Sequence, residues 1–227
     1  MTYFDNTKQE IISMVGELAA AKLFKDAIFS VTFGSNDFIN NYLILYPGPP
    51  DAFDDGLISK FRRQLTRLYD LGARKIVVSN VGPIGCIPFE RDTNPLAGDN
   101  CVAFQNDKLV KPFNNRLRSL LAELGNKLRG SMFLYADVYR AVDDIILNYA
   151  SYGFDSADTA CCRNIVGRFG GIPPCSTLSK VCSDRSKYVF WDAYHPSDAA
   201  VEIIATRLVY GGKNYISPIN IQKLVDA

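Results

Sequence analysis

Two hydrophobic patterns alternate along the chain. Apolar residues spaced three and four apart predict amphipathic helices, and short unbroken apolar runs predict buried strands. Helices are predicted over residues 7–23, 54–71, 100–128 (bent at Pro112), 138–148 and 197–209. Strands are predicted over 27–33, 75–80 and 131–136, with a short extended segment over 188–191. This alternation predicts an α/β fold whose parallel strands are joined by right-handed crossovers.

The first predicted helix and two further segments complete the predicted layout of a single domain over residues 1–227. One face of the first helix carries Ile11, Met14, Val15, Leu18 and Ala19, which is typical of an amphipathic helix. Residues 151–184 are predicted to form a cysteine-bearing loop. Residues 211–227 are predicted to form a peripheral tail.

Two polar clusters directly follow predicted strands. Gly34-Ser-Asn-Asp37 comes after the first strand, and Asp192-Ala-Tyr-His195 comes after the last extended segment. Open α/β sheets form their sites at the carboxyl ends of strands, so both clusters are candidates for a functional site.

Asp192 and His195 have the spacing of an acid–base pair. A carboxylate three residues before a histidine can accept the Nδ1–H of the imidazole, which leaves Nε2 as a base. Pro196 suits the first turn of a following helix. The alternative is structural: His195 packs at a helix start and Asp192 is a solvated loop residue.

Asn36 could donate its side-chain amide to an oxyanion. The alternative is that Gly-Ser-Asn-Asp is only a turn whose Asn and Asp bond their own backbone. A nucleophile is harder to find, because the chain has no Gly-x-Ser-x-Gly motif and Ser35 lacks a recognisable strand-to-helix elbow. The chain has one histidine, no Cys-x-x-Cys pair and no glycine-rich phosphate loop, which predicts neither a metal nor a cofactor.

Composition excludes several classes of protein. The 227 residues carry 25 Lys and Arg against 24 Asp and Glu, so charge gives no reason to expect nucleic acid or an anionic membrane as a partner. No apolar run approaches the roughly 20 residues of a transmembrane helix, and the polar N-terminus is unlike a signal peptide.

The cysteines point to an oxidising compartment. They are Cys86, Cys101, Cys161, Cys162, Cys175 and Cys182. An even, clustered set favours disulfides, although six cysteines allow 15 connectivities. Since no export signal precedes them, either they are reduced thiols or the true N-terminus lies upstream of Met1.

Several segments carry a family resemblance. They are TFGSNDFINNYL (32–43), LYDLGARKIVV (68–78), VGPIGCIP (81–88), ACC (160–162) with Cys175 and Cys182, and FWDAYHPSDAA (190–200). In this order they resemble the plant-type GDSL esterase/lipase family of the SGNH hydrolase superfamily, and the resemblance covers nearly the whole chain.

The resemblance implies a flavodoxin-like three-layer α/β/α fold. It places Gly34 and Asn36 in the oxyanion region, and makes Asp192 and His195 two members of a Ser-Asp-His triad. It further implies hydrolysis of a small-molecule or lipid ester without a cofactor, and secretion. We also expect a Cys86–Cys101 disulfide and two bridges within residues 161–182.

The departures from the family pattern concern the nucleophile. The Gly-Asp-Ser block and a second block with another oxyanion donor are expected upstream of residue 1, so the chain resembles the C-terminal two thirds of a member. The absent segment would carry two strands, which leaves residues 27–33 at a sheet edge. Arg163-Asn164 stands where the family has glycine.

Three functions follow from these observations. The first is a secreted serine ester hydrolase represented by an incomplete chain. The second is a non-catalytic isoform that binds acyl groups or partners. The third is a cysteine-dependent enzyme that uses Cys161 or Cys162.

Overall fold

Helices and strands alternate through residues 2–46, 48–164, 166–172 and 175–226, which the computed structural model describes. The α-helices are α1 Thr2–Val15, α2 Glu17–Asp26, α3 Leu43–Leu45, α4 Pro50–Asp70, α5 Pro88–Thr93, α6 Lys111–Lys127, α7 Val138–Leu147, α8 Asp198–Tyr210 and α9 Ile221–Val225. Two π-helical stretches, Asp37–Tyr42 and Phe104–Val110, lead directly into α3 and α6. The strands are β1 Ile28–Thr32, β2 Lys75–Ser79, β3 Met132–Ala136, β4 Ser156–Ala160, β5 Cys162–Arg163, β6 Lys180–Val181, β7 Tyr188–Phe190 and β8 Ile216–Ser217.

The central sheet is mostly parallel, as predicted. Its order is β1-β2-β3-β8, and Ser30, Val77 and Leu134 lie opposite one another across the three parallel strands. The short strand β8 pairs with β3 in the antiparallel direction. With helices packed around this sheet, the architecture is the α/β fold of three layers that the sequence predicts.

Both faces of the central strands are buried. Ile76 and Val78 of β2 belong to a large core cluster that includes residues of α4 and α6. Val77, between them, belongs to a second cluster with Leu224 of α9. Because successive strand residues point to opposite faces, the two clusters lie on opposite sides of the sheet. This explains why β2 is an unbroken apolar run.

The residues predicted to form a peripheral tail are part of the core. Ile216 of β8 is 1% exposed and Leu224 of α9 is fully buried. They pack on Val77 and Leu134 and cover one face of the sheet. The prediction of a peripheral tail was wrong because the apolar residues of this segment are divided between two short elements, β8 and α9, and form no long periodic pattern.

The first predicted helix is broken at Gly16, whose φ of +82° separates α1 from α2. The break ends the common apolar face, and Met14 and Leu18 are 81% and 91% exposed. Ala20 and Phe24, one turn apart on α2, are buried instead.

Strand β1 lies at the end of the central sheet, where the sequence analysis placed it. An apolar cavity of about 600 Å³ runs beside it. Phe4 of α1, Phe29 of β1 and Phe61 of α4 line this edge cavity, together with Thr32 at the carboxyl end of the strand.

The predicted loop over residues 151–184 contains paired strands. Strand β4 pairs in parallel with β7, and β5 pairs with β6. Two disulfides, Cys161–Cys182 and Cys162–Cys175, close this region, and the third joins Cys86 to Cys101. The expected pairing is therefore confirmed. All six sulfurs are bonded, so the interpretation of Cys161 or Cys162 as a nucleophilic thiol is wrong.

Candidate active site

His195 is held by Asp192. The Nδ1 atom of His195 lies 3.0 Å and 2.9 Å from the two carboxylate oxygens of Asp192. A carboxylate can only accept a hydrogen bond, so Nδ1 is the protonated nitrogen and Nε2 of the neutral ring carries a free electron pair. The ring is 72% exposed, whereas the Asp192 side chain is 19% exposed.

The backbone fixes the carboxylate in turn. Asp192 Oδ1 accepts the N–H groups of Tyr194 and His195, each at 2.8 Å. Burial raises the pKa of Asp192, but the hydrogen bonds from the His195 side chain and these two N–H groups outweigh burial, and the pKa lies below its ordinary value. Asp192 is therefore ionised at neutral pH and orients the imidazole.

The turn that carries this pair is anchored at both ends. Trp191 N–H donates to the His195 carbonyl at 2.9 Å, and Phe89 N–H of α5 donates to the Ala193 carbonyl at 3.0 Å. Beyond Pro196, the Ser197 side chain caps α8 by accepting the Ala200 N–H. His195 thus stands at a rigid junction between β7 and α8.

Gly34 and Asn36 begin a helix rather than an isolated turn. Phe38 N–H donates to the Gly34 carbonyl at 3.1 Å, and the π-helical stretch follows at once. Gly34 has a φ of +114°, and a Cβ there would lie 2.6 Å from Val81 Cγ2, so only glycine fits. The helix forms because Phe38 and Ile39 are buried in the core.

One cavity of about 630 Å³ brings the two polar clusters together; we call it the site cavity. Asn36 and His195 both line it, with Gly82 and Pro83 after β2 and Thr32 at the end of β1. Gly34 is buried against Val81 and is not one of the described residues that line the site cavity. The site cavity has the size of a small-molecule binding site.

Ser35 lines the site cavity as well. The sequence argument against it was that no strand-to-helix elbow surrounds it, yet a helix does start there after β1. Among the described residues, however, the His195 ring makes its polar contacts with Asp192 alone. Ser35 thus lines the same cavity as His195 without being hydrogen-bonded to it.

Two buried asparagines, Asn106 and Asn114, were missed by the sequence analysis. Asn106 Oδ1 accepts the Gly85 N–H at 2.9 Å, and Asn114 bonds the backbone of Val81. They therefore hold the segment from 81 to 85 that forms one wall of the site cavity. Their spacing of eight on one helical face, among apolar residues, was the available signal.

The comparisons with known proteins all find the same family. A family model described as GDSL-like Lipase/Acylhydrolase matches residues 5–208. The chain is similar to the GDSL esterase/lipase At4g16230 of Arabidopsis thaliana, with 56% identity over 98% of this chain and 62% of the relative. It is also similar to the GDSL esterase/lipase At2g23540 of the same plant, with 48% identity over 99% of this chain and 59% of the relative. The chain therefore spans about three fifths of the length of these relatives.

Proposed function

Since the chain belongs to the family of GDSL-like lipases and acylhydrolases, we propose that it is the acid–base part of a carboxylic ester hydrolase. The observation that carries the proposal is the Asp192–His195 pair, whose ring lines a cavity of about 630 Å³ with Nδ1 already bonded. Nε2 is then the basic nitrogen available to a nucleophile.

In the proposed reaction, His195 Nε2 accepts the proton of a serine hydroxyl as its oxygen attacks the ester carbonyl carbon. Asn36, at the helix start shaped by Gly34, donates its amide to the resulting oxyanion. His195 then gives the proton to the leaving alcohol, and water repeats the cycle to release the acid. One oxyanion donor is worth roughly 3–4 kcal/mol in such reactions.

We place the serine outside residues 1–227. The family resemblance predicts that this serine lies on an upstream segment. About two fifths of the length of the relatives lies outside the match. The fold offers a route for such a segment along the free edge of β1. Thr32 lines both the edge cavity and the site cavity, so a strand laid parallel to β1 would end beside His195.

A non-catalytic role is the second candidate. It is favoured by the intact site cavity in a chain whose His195 ring bonds no hydroxyl among the described residues. In that case the chain would bind acyl groups without cleaving them. For either function we propose an extracellular location, because three disulfides are typical of an oxidising compartment.

The test compares two proteins in hydrolysis of p-nitrophenyl butyrate. One is the 227-residue chain, and the other is this chain joined to the part of At4g16230 that precedes the match. We expect turnover only in the joined protein, and its loss in a His195→Ala variant of it. A folded but inactive joined protein would overturn ester hydrolysis and leave binding. If the 227-residue chain is itself active and Ser35→Ala abolishes that activity, Ser35 is the nucleophile.

A further inference from the structure

The site cavity carries no fixed charge in its wall. None of the described residues that line it is Lys, Arg, Asp or Glu. The edge cavity beside β1 differs, because Asp37 and Lys60 both line it. Phosphate and carboxylate groups are bound in proteins by Arg, Lys or backbone nests, so this wall offers an anionic headgroup no partner charge.

Two side-chain amides share one side of the site cavity. Asn36 and Asn40 lie four residues apart on the same helical stretch, and both line the cavity. Within the described chain, neither amide has a hydrogen-bond partner. Each amide offers two donors and one acceptor oxygen, which together match a hydroxyl group.

The remaining wall is largely aliphatic. It is formed by Ile84, Ile87, Val138, Val142 and Ile204. These side chains come from the loop after β2, from α7 and from α8, so three separate elements supply one apolar surface. An acyl chain would bury its methylene groups against this surface.

We propose that the site cavity selects uncharged esters of an apolar acid with a hydroxyl-bearing alcohol, such as a polyol or a sugar, and that Asn40 determines this specificity by binding a free hydroxyl. The inference rests on the proposed function, since it assigns the substrate class of that same site. Asn36 is occupied at the oxyanion in the proposed reaction, which leaves Asn40 to bind the alcohol.

Binding can be measured on the 227-residue chain itself. Isothermal titration calorimetry would compare glycerol mono-octanoate, methyl octanoate and the anionic 1-octanoyl glycerol 3-phosphate, each below its micelle concentration. We expect the glycerol ester to bind most tightly. Asn40→Ala should weaken that binding roughly threefold to tenfold, as expected for one hydrogen bond, and should change methyl octanoate binding less than twofold.

Asn41 supplies the matched control. It is the same residue type on the same helical stretch, it is exposed, and it is not among the described lining residues. Asn41→Ala should leave all three affinities unchanged. Asn40→Leu, similar in size but without donor or acceptor, should repeat the loss seen with Asn40→Ala.

Three outcomes would overturn the proposal. They are equal binding of the glycerol and methyl esters, tighter binding of the phosphate ester, and equal effects of the Asn40 and Asn41 variants. These outcomes are separate from failure of the proposed function, which is judged by hydrolysis of p-nitrophenyl butyrate, an ester without a free hydroxyl. Turnover of that ester without any preference for the glycerol ester would refute this substrate class and the role of Asn40, and would leave the proposed function standing.

Discussion

Asn114 of α6 holds both polar groups of the Val81 backbone. Its Oδ1 accepts the Val81 N–H at 3.0 Å, and its Nδ2 donates to the Val81 carbonyl at 2.8 Å. Val81 is 1% exposed and leads into Gly82 and Pro83 of the site cavity. The side-chain amide of Asn114, 33 residues away in the chain, thus makes the two backbone hydrogen bonds that a neighbouring strand would make with Val81 beyond the end of β2.

Removing this amide should destabilise the protein. Asn114→Leu leaves a buried N–H and a buried carbonyl of Val81 without partners, each at a cost of about 1–3 kcal/mol. We expect the free energy of unfolding in urea to fall by roughly 2–6 kcal/mol. Asn115→Leu, at the exposed neighbouring position, is the control and should change it by less than about 0.5 kcal/mol. Equal losses in the two variants would contradict the assigned role of Asn114.

Asp54 should make stability fall as pH rises. It is fully buried on α4, and neither carboxylate oxygen has a hydrogen-bond partner in the described chain. Burial raises its pKa to about 7, although Arg116 lowers it and Asp51 and Asp55 raise it further. The folded chain therefore binds this proton more tightly than the unfolded chain, whose Asp has a pKa of 3.8. The stabilisation is lost between these two pKa values as pH rises.

Asp54→Leu should remove this pH dependence. Between pH 5 and pH 8, the unfolding free energy of the unsubstituted protein should fall relative to that of the variant by on the order of 2 kcal/mol. Urea unfolding at both pH values measures the difference. Asp70→Leu, at the exposed end of the same helix, is the control. Its unfolding free energy should change between the two pH values as much as that of the unsubstituted protein. A constant gap between the Asp54→Leu variant and the unsubstituted protein would refute the raised pKa.

The single histidine permits a direct test of the acid–base pair. In neutral His195, a long-range ¹H–¹⁵N spectrum should show protonated Nδ1 and unprotonated Nε2, since Nδ1 faces the Asp192 carboxylate. Asp192→Asn removes the negative acceptor and should increase the share of the Nε2–H tautomer. Asp198→Asn, in the first turn of α8, should leave the spectrum unchanged. A predominantly Nε2-protonated ring in the unsubstituted chain would exclude His195 as the predicted base.

Amide exchange should reveal the free edge of the sheet. β1 has one neighbour, β2, whereas β2 lies between β1 and β3. Alternate N–H groups over Phe29–Val31 should therefore exchange rapidly, and those over Ile76–Val78 should all be protected. Uniform protection in β1 of a monomer would contradict an open edge. Uniform protection of β1 that is found only in a dimer would show that a second copy of the chain covers this edge.

Local patterns were enough to predict some parts of this molecule. The apolar run of β2 and the three-residue spacing of Asp192 and His195 depend on neighbours in the chain, so the sequence displays them directly. The contact of Asn114 with Val81 joins distant segments and leaves no periodic trace. The start of the helix at Gly34 was read as a turn because Gly, Ser, Asn and Asp favour turns. Burial of Phe38 overrides that preference, and only the tertiary structure reveals it.

The nested disulfides have a consequence for proteolysis. Cys162–Cys175 lies inside the loop closed by Cys161–Cys182. A protease that cuts after Arg168 would therefore produce two fragments that remain joined by two covalent bridges. The fragment with Asp192 and His195 would stay attached to the fragment with Asn36, and the nick would appear on a gel only after reduction. The protein can thus be cleaved in its exposed loop and still remain one covalent molecule.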